Sequence, residues 1–171
     1  YGKILNTPKE GWKDFNIVES LKEEFDLPIF VTTDVNASAY GEYKLGAGEG
    51  KKSLAYYTVG TGVGGGVVQN GEFIGGESHP EMGHMIINKD PRDNYDGGCM
   101  CHKACLEGLA SGPNIEKRFN IRAENLEPND DFRDIEAVYL AQAAYNTSLM
   151  FSPDVIVFGG GVMQVEGLIE K

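Results

Sequence analysis

Two glycine clusters limit what this chain can fold into. Gly60, Gly62, Gly64, Gly65 and Gly66 lie in one short stretch, and Gly159, Gly160 and Gly161 are consecutive. Each cluster follows an apolar, β-branched run, residues 53–59 in one case and 154–158 in the other. Backbone without a Cβ can approach an anion closely and turn its N–H groups inward. Glycine loops at strand ends are where ligands sit in α/β folds.

The rest of the pattern agrees with α/β. Residues 1–16 carry Pro8 and Gly11 with few apolar positions, and an extended arm is expected. Apolar residues at 17, 18, 21 and 25 predict a helix, and residues 27–31 predict a short buried strand. A helix is expected from Val35 or Asn36 to Leu45. Strands are expected over 53–59 and 63–69, with Asn70-Gly71 as a two-residue hairpin turn. Between 75 and 98 only Met85-Ile86-Ile87 reads as a strand. Helices are expected from Cys105 to Ala110, from Pro113, and over 131–150, where Ile135, Val138, Leu140, Ala141, Ala144 and Leu149 suggest one buried face. Alternating strands and helices argue α/β.

Composition excludes several classes. At 41% hydrophobic and 24% charged the chain can build a core. Fifteen basic against 26 acidic residues give −11, a poor surface for a nucleic-acid backbone. No stretch of about 18 apolar residues is present, and the N-terminus carries no apolar signal sequence, so neither a membrane partner nor export is expected. The chain also lacks an initiator Met and reads as a piece of something longer. All three cysteines fall between Cys99 and Cys105. That clustering favours a metal site in a reducing compartment, the cytoplasm, over a disulfide framework.

Four constellations can carry chemistry. The turn around Gly60, Thr61 and Gly62 can be a phosphate clamp or a ligand-free hairpin. Asp34, at a strand end and a helix start, suits the mouth of an α/β site, but taken alone it reads first as an N-cap. Cys99, His102 and Cys105 are spaced by two residues each, and His84 can supply a fourth ligand; two thiolates and two imidazoles suit zinc in a closed, structural shell. Glu81 and Glu107 taken alone read as surface carboxylates. Gly159–Gly161 suit either an approaching nucleotide or a tight turn.

Together these motifs resemble the ROK family of sugar kinases and repressors, most closely its bacterial fructokinase-like branch. The resemblance rests on T-D-V-N-A-x-A-x-G-E at 33–42, V-G-T-G-V-G-G-G at 59–66, H-P-E-M-G-H at 79–84 and the loop 99–107. It implies the C-terminal lobe of an actin-like, hexokinase-like ATPase fold, a ribonuclease-H-like sheet with flanking helices and an inserted zinc loop at 79–107. Residues 1–32 would be a crossing segment from an N-terminal lobe, and 33–171 a truncated C-terminal lobe.

The resemblance also implies roles. Asp34 would be the catalytic base. Gly60, Thr61 and Gly62 would contact the ATP phosphates, and Gly159, Gly160 and Gly161 would lie near the nucleotide. Glu81, His84 and Glu107 would bind sugar hydroxyls, with His84 also a zinc ligand. The cofactors implied are structural Zn2+ and Mg2+, with ATP as co-substrate and a hexose, fructose foremost, as acceptor; the intact protein is expected to be a homodimer. Glucokinase-like members carry C-x-C-G-x-x-G-C, whereas Cys101 to Cys105 is one residue too short for it. Cys101 is then spare, and five candidate ligands compete for four places. The D-x-G-G-T-K loop of family kinases is absent from these residues, so the fragment alone is expected to be inactive. A sugar-sensing repressor of the same family is the alternative reading.

Overall fold

The computed structural model describes residues 2–5, 7, 9–76, 78–120 and 130–170. They divide into two compact units, residues 1–33 and 34–171.

In the first unit the expected extended arm instead folds back on itself. Ile4 N–H donates to Phe15 O at 2.9 Å, and Lys3 pairs with Asn16 in an antiparallel bridge. Trp12 packs edge-on against Phe15 at 5.7 Å, an apolar contact that a free arm could not make. Positions 1, 6 and 8 of that arm lie outside the described residues. Helix α1, Ile17–Glu24, starts where the Asn16 side chain accepts from Glu19 N–H at 3.3 Å. The buried strand expected at 27–31 does not form. Leu27 is 66% exposed and Phe30 88%. Pro28, inside the run, has no N–H to give to a ladder.

The second unit is built on a four-stranded mixed sheet of order β3-β2-β1-β4. β1 (Ser53–Val59) pairs antiparallel with β2 (Val63–Gln69), which pairs antiparallel with β3 (Glu72–Phe73). Asn70 and Gly71 both have positive φ, 52° and 85°, as the hairpin turn demands. β4 (Val155–Gly159) runs parallel to β1, with Thr58 opposite Gly159. Both glycine clusters therefore lie at the same end of adjacent strands.

Side chains alternate between the two sheet faces. Leu54 and Val68 pack with Ala39 of helix α2 (Asp34–Leu45). Ala55, Tyr57, Val59, Val63 and Val67 face the main core with α3 (Leu106–Ala110), α4 (Gly112–Phe119) and α5 (Asp130–Phe151). Tyr57 stacks on Phe158 at 5.1 Å, and its hydroxyl meets Thr147 Oγ1 at 2.6 Å. That buried pairing adds about 1 kcal/mol.

Two local expectations change. Residues 85–87 form only an isolated bridge, Ile86 to Cys105, after a turn of 3-10 helix at Met82–His84. On α5 the buried face runs through Phe132, Ile135, Glu136, Tyr139, Ala143 and Thr147, while Val138 and Leu149 are exposed.

Candidate active site and metal centre

A cleft of about 290 Å3 opens at the β1–β2 turn. That is close to the lower end of small-molecule sites, about 300–1,000 Å3. Its walls combine Asp34, Gly60, Thr61, Gly62, Glu81, His84 and Glu107, which come from four separate stretches of sequence. Thr58, Val35 and His79 complete it.

Asp34 is the first residue of α2. Its Oδ1 accepts the N–H of Val35 at 2.9 Å, which leaves Oδ2 for the cleft. The side chain is thus oriented by its own helix start while it stands at the mouth of the site.

The β1–β2 connection is the three residues Gly60, Thr61 and Gly62, since Val59 pairs with Val63. Gly60 N–H donates to Gly62 O at 2.9 Å, and Val63 N–H donates to Glu107 Oε2 at 3.2 Å. The N–H groups of Thr61 and Gly62 have no acceptor among the described residues. Two open donors on one turn can meet an anion. A Cβ on Gly62 would lie 2.8 Å from Glu107 Oε2, so this glycine allows the carboxylate its place.

Gly64 and Gly66 serve packing instead. A Cβ on Gly64 would sit 2.7 Å from Val35 Cγ1, and one on Gly66 would sit 2.8 Å from Val35 O. They let α2 lie close on β2, which is what carries Asp34 to the turn. Gly159 is likewise crowded, because a Cβ there would lie 2.6 Å from Tyr56 Oη, whereas Gly161 faces open space. None of Gly159, Gly160 and Gly161 lines the cleft.

One contact is not legible in the motifs. Gly112 N–H, at the start of α4, donates to Gly60 O at 2.8 Å, so a helix N-terminus abuts the glycine turn. Pro113 signals the helix but not its target. His79, the first residue of the H-P-E-M-G-H motif but given no role by it, also lines the cleft wall.

Below the cleft, His84, Cys99, His102 and Cys105 bring their ligand atoms within 4.8 Å of one another. His84 Nδ1 lies 3.6 Å from Cys99 Sγ and 3.7 Å from Cys105 Sγ. Zinc bond lengths imply a tetrahedral S···N edge of about 3.6 Å, so these residues fit a tetrahedral ion. Cys99 and Cys105 are buried and Cys101 is exposed, outside the group. Burial acts to raise the Cys99 thiol, but the main-chain N–H groups of His102 and Cys101 outweigh it and hold the thiol low. Burial pushes Cys105 up to about 11. With Nδ1 turned to the thiols, His84 keeps Nε2 for the cleft.

No described helix is long and apolar enough to cross a membrane. The ROK family profile matches residues 1–171. A fructokinase from Lactococcus lactis subsp. cremoris is 52% identical over 99% of this chain, which covers 58% of that protein. A fructokinase from Streptococcus mutans serotype c is 48% identical over 100% of this chain and 59% of its own length. The ROK hexokinase structure from Thermus thermophilus superposes with a TM-score of 0.83 at 32% identity, over 99% of this chain and 61% of that one. The chain thus spans a little under three fifths of the curated relatives it matches.

Proposed function

This chain belongs to the ROK family, and from that premise we propose that the full-length protein transfers the γ-phosphoryl group of ATP to a hexose, fructose foremost. The observation that carries the reading is the cleft itself. One volume is lined by a carboxylate at a helix start, a glycine turn with two open N–H donors, and a wall of Glu81, His84 and Glu107.

Those groups divide the work by chemistry. Sugar hydroxyls are donors as well as acceptors, and carboxylates only accept, so Glu81 and Glu107 suit a polyol. Asp34 orients the acceptor hydroxyl and takes its proton as the oxygen bonds to the γ-phosphorus. The bond from that phosphorus to the β-phosphate oxygen breaks, and ADP leaves. The N–H groups of Thr61 and Gly62 meet charge on the phosphoryl oxygens. Gly159–Gly161 lie outside the cleft but at the same end of the sheet, and we assign them to the nucleotide side. Magnesium would come bound to the nucleotide and would offset the charge of its phosphates.

We read the four-ligand group as a structural zinc site held by His84, Cys99, His102 and Cys105. A closed shell leaves no open position for catalysis. Bound metal would hold His84 in the tautomer with hydrogen on Nε2, a donor toward the sugar.

The test is turnover by the full-length protein with ATP and, in turn, fructose, mannose and glucose. Phosphorylation with fructose preferred supports the reading. Hexose binding with no turnover on any of the three would refute it in favour of a sugar sensor.

A further inference from the structure

His79 faces the cleft but has no described role there. Its main chain is held from two sides. The Asn36 side-chain N–H donates to the neighbouring Ser78 O at 2.8 Å. Gly75, at φ +104°, lies so close that a Cβ would sit 3.3 Å from His79 Cα. These contacts fix the main chain at His79, whose side chain is 20% exposed.

Its two nitrogens meet different surroundings. Nδ1 is buried with no hydrogen-bond partner. Nε2 lies 3.9 Å from Glu81 Oε1. An orphaned buried N–H is rarer in proteins than an under-satisfied acceptor, so the neutral ring carries its proton on Nε2. The gap of 3.9 Å is too long for a direct hydrogen bond. An oxygen about 2.8 Å from each group closes it. That oxygen must accept from Nε2–H and donate to the carboxylate, which a sugar hydroxyl, or the water it displaces, does and a carbonyl or phosphate oxygen does not.

We propose that His79 is a further substrate-binding residue, its Nε2–H donating to a hexose hydroxyl that itself donates to Glu81. The inference rests on the reading of the cleft as a hexose site. It makes the acceptor sugar, and not the nucleotide, the ligand that His79 reads.

The experiment uses full-length protein and measures both turnover and hexose affinity without ATP, the latter by calorimetry with fructose, mannose and glucose. His79→Ala should weaken hexose binding and raise its KM about 10-fold or more, with kcat changed less than about 3-fold. The KM for ATP should not move. His79→Gln can place an amide near the Nε2 position and should recover much of the loss, whereas His79→Asn reaches only as far as Nδ1 and should not. Unchanged hexose affinity in His79→Ala overturns the proposal, and so does rescue by Asn but not Gln. Should His79→Ala misfold, the Gln and Asn pair still decides. Wild-type protein that binds hexose without turnover removes the kinase reading but leaves His79 to be judged by affinity. Wild-type protein that neither binds nor turns over hexose overturns both.

Discussion

The carboxylate of Glu107 accepts the main-chain N–H of Val63 at 3.2 Å. Glu107 lies two residues beyond Cys105, and Val63 is the first residue of β2 after the glycine turn. One contact therefore ties the end of the Cys/His loop to the turn that lines the cleft. Glu107 also fixes the next helix, since its carbonyl accepts from Asn114 Nδ2 at 3.0 Å and from Ser111 N–H at 3.2 Å.

Loss of that carboxylate should be felt at both ends. Glu107→Ala leaves the N–H of buried Val63 without its acceptor and should destabilise the full-length protein by about 1–2 kcal/mol. Glu107→Gln retains an acceptor oxygen and should cost less. Urea midpoints of the two variants check this, and equal midpoints would mean that the contact carries no stability.

Asp34→Asn should leave the start of α2 intact, because Asn Oδ1 can still accept the Val35 N–H. Without a carboxylate to take the proton, turnover of the full-length protein should fall about 10²-fold or more while hexose binding survives. Turnover within a few-fold of wild type would remove Asp34 from that role.

Metal content separates the candidate ligands. Purified Cys101→Ser should retain one zinc per chain, and Cys99→Ser should lose it, because Cys101 is exposed and Cys99 faces His84. Chelation should lower the melting temperature and weaken hexose affinity together, since His84 belongs to both the metal group and the cleft. Zinc loss from Cys101→Ser with retention in Cys99→Ser would reverse the assignment.

Alkaline stability follows from the core tyrosines. Burial pushes Tyr57 up to about 12, against the weaker opposing pull of its Thr147 hydrogen bond. Tyr139 is raised by burial and by donating to Asp93. In the unfolded chain tyrosine titrates near 10. The folded state therefore keeps its protons longer, and this contribution is complete below about pH 10 and lost as pH rises toward 12. For Tyr57 the slope is at most about 1.4 kcal/mol per pH unit. Denaturant midpoints at about pH 9 and about pH 11 should differ less in Tyr57→Phe than in wild type.

The sequence by itself determined the features that act over a few residues. The bounds of β1 and β2 follow from apolar runs, the hairpin from Asn70-Gly71, and the start of α4 from Pro113. Ligand spacing singled out Cys99, His102, Cys105 and His84, because soft side chains close together in a polar loop have little other use. Tertiary structure decided what depends on distant neighbours. It shows that Gly64 and Gly66 make room for Val35, and that Gly159 lies under Tyr56. It turns Cys101 outward and sets His79 beside Glu81. It buries Glu136 on α5, with both carboxylate oxygens unpartnered, and exposes Val138 and Leu149, which the periodic pattern put on the buried face. It also leaves the apolar segment 27–31 out of any strand. Spacing and propensity are local quantities, whereas the space around a Cβ, the partner of a buried nitrogen and the neighbour of a strand are set by residues far away in the chain.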